Sequence, residues 1–287
     1  MLKKSTVQLL RFPFSLFLAP VYFFALSMLP DIHWPSALLV FFILHGLVYP
    51  ASNGYNSYMD RDDTPVGGLA NPLQPEKQLF YVTLVMDALA IVLGLVISPV
   101  FCLCVITYIL ASRAYSYRGI RLKRFPVVGY LTVILFQGGL TFFMVYHGAS
   151  VTHALSPSPY PLFIACLLIG GFYPLTQIYQ HEADQKDGVL TISAWLGYRG
   201  TFIFCGIVYT VAMAILGYYL WDQHRMRDFF IVATLLMPVA LYFTTWAGKV
   251  WKNPASANFN STMRMNVVAS LCTTIAFLFL LMLRYFE

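Results

Sequence analysis

The sequence predicts an all-α integral membrane bundle of about nine transmembrane helices, and three observations carry that prediction. Only 10% of the 287 residues are charged and 59% are hydrophobic, whereas an ordinary soluble domain carries about 25% charged residues. The apolar residues gather into nine runs, and a run of about 20 crosses a bilayer core. Lys and Arg fall almost entirely on one side of the bundle that those runs define.

The runs are 9–29, 35–57, 78–97, 99–117, 126–146, 158–180, 200–221, 228–248 and 267–284. Lys3, Lys4 and Arg11 stand at the start of the first, as basic residues do before the apolar core of a signal peptide. No small-residue cleavage site follows it and a second run begins at once, so it is read as a span. The third and fourth meet at Ser98-Pro99, a tight hairpin. No long polar segment separates any pair, and residues 1–287 are read as one transmembrane domain. With the N-terminus placed in the cytoplasm, fifteen of the eighteen Lys and Arg residues lie in cytoplasmic segments; only Arg225, Arg227 and Arg284 lie on the other side. An error of one span would scramble that bias. The expectation is a multi-pass protein of the bacterial inner membrane with a cytoplasmic N-terminus.

The five cysteines, Cys102, Cys104, Cys166, Cys205 and Cys272, lie inside apolar runs with no metal spacing, which argues against zinc or redox chemistry. The net charge of +6 sets topology rather than announcing a nucleic-acid partner.

Polar residues near membrane spans are costly and mark function. One group ends the second run: Asn53, Asn56, Asp60, Asp62 and Asp63. Another ends the sixth: Gln177, Gln180, Glu182, Asp184 and Asp187. Asn53, Asn56, Asp60 and Asp63 are spaced three, four and three apart, as are Gln177, Gln180, Asp184 and Asp187. On a helix each set keeps to one face, with Asp62 and Glu182 off it. The same device used twice reads as two pseudo-repeated halves whose acidic helix ends face one another across a cavity. Oxygen ligands converging from two helices suit Mg²⁺, which takes one or two carboxylates and completes its shell with water and substrate phosphate. A pair of such ions bridging a diphosphate would relieve the repulsion between the acids.

The segment Tyr115 to Arg124 carries Arg118, Arg121, Lys123 and Arg124 on the same side. It reads both as a topology signal and as a diphosphate clamp. Solvated loop charges remain an alternative for either acidic group alone. An ion-transport site would instead place charge in mid-span, where Asp87 is the main candidate. Gln137 interrupts the fifth run beside Gly138-Gly139, and Asn258, Asn260, Arg264 and Asn266 precede the last; packing or capping is the expected role of that last group.

On these residues the sequence resembles the UbiA-type intramembrane prenyltransferases. The family's first motif, an Asn followed by Asp four and eight residues on, stands here as Asn56 and Asp60, with Thr64 third and Asp63 the nearest acid. Its second motif stands as Gln180, Asp184 and Gly188, followed by Thr191 and Leu196-Gly197, with Gln180 in place of an Asp. Tyr115-Ser116 and Arg121-Leu122-Lys123-Arg124 resemble the family's Tyr-Ser and Leu-Lys-Arg loop, and Arg11 before Pro13 resembles a basic residue at the start of its first helix. Asn71-Pro72-Leu73 stands where the family carries Arg-Pro-Leu.

The resemblance implies transfer of an isoprenyl group from its diphosphate to a lipophilic acceptor, an aromatic or quinone precursor, within the lipid. It implies one Mg²⁺ on Asn56, Asp60 and Asp63 with Asn53 in support, and a second on Asp184, Asp187 and Gln180. Lys123, Arg121 and Arg118 would hold the diphosphate, with Arg11 and Tyr115 beside them. A terpene cyclase, a transferase using a non-aromatic acceptor, and a lipid- or ion-transport protein on the same scaffold remain the alternatives.

Overall fold

The computed structural model describes residues 1–286, and helices dominate them. Among the described residues eight helices are long and apolar enough to cross a membrane, and a bent pair brings the number to nine. The spans are Lys4–Ser27, Trp34–Asp60, Lys77–Ile97, Pro99–Ser116, Pro126–Ala149, Pro159–Gln177, Ile192–Asp222, the pair Met226–Leu235 with Met237–Lys252, and Phe259–Arg284. The pair bends by 44° just before Pro238, whose missing N–H and ring break the helical ladder. The observed helices outrun several apolar runs because their ends are polar. The seventh starts at Ile192 and kinks at Gly197 (φ 68°), and the ninth starts at Phe259.

Successive helices are neighbours, and the ring closes where the ninth span packs on the first. Phe24 marks that closure, stacked on Phe277 at 4.5 Å and tilted against Phe142 of the fifth span at 5.4 Å. At the hairpin, Ser98 is extended, its hydroxyl accepts from Phe101 N at 2.9 Å, and Pro99 opens the next helix without needing an N–H partner. Asp87, which lies within the third span, is ion-paired with Arg113 of the fourth span, whose guanidinium lies 3.9 Å from the ring centre of Tyr55 in the second. The contact ties three helices together and leaves Asp87 paired, not free to carry an ion.

Two wide π-helical segments interrupt the bundle, Phe42–Val48 in the second span and Ile134–Leu140 in the fifth. Such segments recur at functional sites. The second contains Gln137 and Gly138. A Cβ on Gly138 would come within 2.7 Å of Cys166 Cα, so only glycine lets the fifth and sixth spans approach this closely. The loops after the second, fourth and sixth spans meet at one end of the bundle. Arg225, paired with Asp228, and Arg284, which donates to Ser27 O at 2.8 Å, belong to the other end.

Candidate active site

The second span ends at Asp60 because Arg61 turns left-handed (φ 56°). Up to that point helical periodicity holds, and Asn53, Asn56 and Asp60 line one cavity of about 190 Å³. Beyond it the period no longer applies. Asp62 turns into the cavity, and Asp63 is exposed on the outer side. The placement of Asp63 on the stripe is thereby corrected: the helix that was to carry it stops three residues short. The signal was available in Thr64-Pro65, since a residue before proline avoids the helical region.

The sixth span stops at Gln177, not 180. Gln180 N donates to Gln177 O at 2.9 Å, and a separate short helix, His181–Lys186, follows. Gln177, Gln180 and Asp184 face the same cavity. Asp187 caps the short helix, ahead of Gly188 in a left-handed conformation (φ 69°). It leaves the stripe for the basic loop, ion-paired with Arg121 and lying 3.5 Å from Arg118 Nη1. A single continuous face from Gln177 to Asp187 therefore does not form.

The basic loop enters through Arg121, left-handed at φ 53° and only 8% exposed. Arg121 Nη1 donates to Asp187 O at 3.0 Å. Arg118 donates to Met59 O at 2.8 Å and is half exposed, outside the cavity lining. Lys123 reaches inside and donates to Asp60 Oδ2. From the first span comes Arg11, also left-handed (φ 50°) and 6% exposed, donating to Asn53 O at 3.0 Å and to Gly67 O at 3.3 Å. Left-handed arginines are uncommon, and strained backbone of this kind gathers at ligand sites.

Second-layer contacts orient these groups. Ser116 donates to Asn56 Oδ1 at 2.8 Å. The hydroxyls of Tyr115 and Tyr173 are hydrogen-bonded, and Gln177 Nε2 donates to Tyr173 at 2.7 Å.

Four acids, Asp60, Asp62, Asp184 and Asp187, stand here among Arg11, Arg118, Arg121 and Lys123. Burial, with the nearby Asp60 charge, pushes the Asp62 carboxyl up to about 6. Burial pushes Asp184 up to about 7, opposed by Lys123 and reinforced by Asp60, Asp62 and Asp187. Burial would also raise Asp187, but the hydrogen bond and charge of Arg121 hold it below its ordinary value. Among the described residues, Asp60 Oδ1, Gln177 Oε1, the Tyr179 hydroxyl and Arg11 Nε are buried around this cavity with no hydrogen-bond partner. Asp60 Oδ1 lies 3.5 Å from Arg121 Nη2 as an ion pair only. No three His, Cys, Asp or Glu side chains among the described residues are grouped to hold a metal unaided. The donor set is hard oxygen, with buried oxygens left unbonded, which fits Mg²⁺ brought together with a phosphate and does not fit a closed protein cage. Asp62 and Tyr179 were not singled out by sequence reasoning for this site. Tyr179 has no signature that separates it from a chain with 17% aromatic residues.

Two further chambers continue from this cavity. The first, about 130 Å³, shares Ser52, Asn53, Tyr108, Gln137 and Tyr173 with it. The second, about 270 Å³, joins the first at Phe17, Ile169 and Phe172 and is mostly apolar. Polarity thus falls from the loop end toward the middle of the bundle.

Comparison with known proteins agrees with this architecture. The bacteriochlorophyll synthase 33 kDa chain of Cereibacter sphaeroides is 29% identical over 175 residues, which is 58% of this chain and 57% of that protein. The match thus covers under two thirds of the relative's length. A UbiA homologue from Archaeoglobus fulgidus, solved bound to DMAPP and Mg²⁺ and again bound to GPP and Mg²⁺, superposes with a TM-score of 0.72 at 18% identity, covering 97% of this chain and 99% of that one. The model of the UbiA prenyltransferase family matches residues 16–268, from the turn after Arg11 to the last span, and with that the chain belongs to the UbiA prenyltransferase family.

Proposed function

We propose that the protein transfers an isoprenyl group from a prenyl diphosphate to a lipophilic acceptor inside the membrane, with Mg²⁺. The observation that carries this reading is the meeting of Asp60 and Asp62 with Asp184 on one cavity that also receives Lys123 and Arg11. Burial raises the Asp62 and Asp184 carboxyls, and cations arriving with a diphosphate would favour their ionised form. Structures of a homologue bound to DMAPP or GPP with Mg²⁺ support the same reading.

When bound, Mg²⁺ neutralises the charge that gathers on the leaving diphosphate. Asn56 and Asp60, with Asn53 behind them, hold one ion, and Asp62 takes the place first expected of Asp63. Asp184 and Gln180 hold the second; Asp187 serves by fixing Arg121 and the loop. Lys123 and Arg11 bind diphosphate oxygens, and Arg121 and Arg118 keep Lys123 in position. Charge-assisted contacts of this kind matter most where negative charge grows in the transition state. The prenyl tail runs along the apolar wall of the cavity formed by Ala111, Val133 and Phe136 of the fourth and fifth spans, and that wall keeps water from the cation that forms at C1. The cavity end faces the cytoplasm, as the distribution of Lys and Arg indicates, in the inner membrane of a bacterium.

The test uses membranes containing the protein, labelled geranyl diphosphate and Mg²⁺, with diphosphate release and lipid-soluble label measured. Asp60→Ala and Asp184→Ala should each abolish Mg²⁺-dependent release. Release that survives both changes would place the chemistry elsewhere.

A further inference from the structure

The 130 Å³ chamber contains a group that the diphosphate site does not use. Asn266 of the ninth span lines it at 0% exposure, and neither its Nδ2 nor its Oδ1 has a hydrogen-bond partner among the described residues. One turn further on, Ser270 donates to Leu16 O at 3.4 Å, so this face of the ninth span is held against the turn in the first. Leaving a buried amide unpaired costs about 1–3 kcal/mol for each group so stranded. A ligand that hydrogen-bonds it recovers that cost.

The chemistry of the chamber narrows what that ligand is. A prenyl chain is hydrocarbon beyond its diphosphate, so it cannot satisfy a carboxamide; the polar group must come from the other substrate. Among the described residues, no charged side chain lines this chamber. A carboxylate there would have no counter-ion, and its burial would be prohibitive. A neutral hydroxyl or carbonyl oxygen meets no such cost. The volume also fits, since an apolar cavity of about 150 Å³ takes up one benzene ring. The walls include Phe14, Phe17, Tyr49, Tyr108, Phe172 and Tyr173, faces against which a ring can lie.

We propose that Asn266 recognises a neutral hydroxyl or carbonyl oxygen on a single-ring head group of the acceptor, seated in the chamber between the diphosphate cavity and the apolar one. This assignment rests on the prenyl-transfer reading. Asn266 touches the acceptor away from the reacting carbon, so it sets acceptor choice and not diphosphate binding.

The experiment uses the full chain in lipid nanodiscs and three labelled probes: 4-propylphenol, propylbenzene and 4-propylbenzoate. Binding is measured by equilibrium dialysis and corrected against protein-free nanodiscs. The phenol should bind about five- to tenfold more tightly than propylbenzene, as one buried hydrogen bond provides. Asn266→Leu and Asn266→Ala should each erase that preference. Both variants should bind geranyl diphosphate with Mg²⁺ like the parent, and Asn266→Leu should melt no lower than it, because the amide it removes is unpaired. Several results would overturn the proposal: an undiminished preference for the phenol in both variants, an Asn266-dependent preference for the benzoate, a lower melting point in Asn266→Leu showing that the amide is used within the fold, or weaker geranyl diphosphate binding in both. Absence of geranyl diphosphate binding in the parent would instead defeat the prenyl-transfer reading, while the phenol preference is read independently.

Discussion

Lys123 Nζ donates to Asp60 Oδ2, while the buried Asp60 Oδ1 accepts no hydrogen bond. Both oxygens of this carboxylate face the basic loop, Oδ2 through a hydrogen bond from Lys123 and Oδ1 through Arg121 Nη2 at 3.5 Å, and only Oδ2 is hydrogen-bonded. Lys123 thus leaves Oδ1 with capacity for a further ligand. Replacing Lys123 with Met should lower kcat/KM for a prenyl diphosphate about 10- to 100-fold, the worth of a charge-assisted hydrogen bond. Steady-state kinetics in detergent checks this, and parental kcat/KM would exclude Lys123 from the diphosphate site.

Asp62 and Asp63 are adjacent in sequence and both line the outer cleft, but only Asp62 also lines the inner cavity. Asp62→Asn should reduce turnover about 10²-fold or more, as loss of a group stabilising transition-state charge does. Asp63→Asn should leave it within about threefold, as for a solvated surface group. The reverse ranking would show that the second helix extends past Asp60 when substrate is bound.

The raised carboxyls give opposite pH trends with and without metal. Asp62 at about 6 and Asp184 at about 7 hold protons in the fold that the unfolded chain, with ordinary carboxyls, has released. Between those values and about pH 4 the native state binds more protons, so its stability falls as pH rises. The melting temperature of the metal-free protein should therefore be higher at pH 5.5 than at pH 8. Mg²⁺ binds the ionised form, so the stabilisation it confers should grow over the same interval. Thermal melts at both pH values, with and without Mg²⁺, check both signs; a metal-free protein more stable at pH 8 would contradict the burial of these acids.

Gly138 is the point where the fifth span meets the backbone of the sixth. Gly138→Ala should destabilise by about 1–3 kcal/mol through overpacking, seen as a lower melting temperature in detergent. An unchanged melt would show that the spans separate there at little cost.

Much of the bundle was legible in the chain. The nine apolar runs, the Ser98-Pro99 hairpin and the two polar groups at the ends of the second and sixth runs all correspond to observed features. The misplacements share one cause. Extending a 3.6-residue period through Asp63, and from Gln177 through Asp187, assumes that the helix continues, and both helices stop at the very place where the site forms. Periodicity reports which residues share a face only while the ladder of hydrogen bonds lasts.

The amino-acid order by itself determined which stretches lie in lipid, because apolar content over about 20 residues settles that locally. It also determined which acids and bases were available at one end. Only the tertiary structure decided their partners: Asp62 turned inward, Asp187 bound to Arg121, Asp60 to Lys123, and Asn266 unpaired beside Phe172. These outcomes rest on left-handed turns at Arg11, Arg61 and Arg121. Contacts from distant segments hold Arg11 and Arg121, such as Asn53 O and Gly67 O around Arg11 and Asp187 against Arg121. A conformation maintained by residues far along the chain leaves no mark in its own neighbourhood.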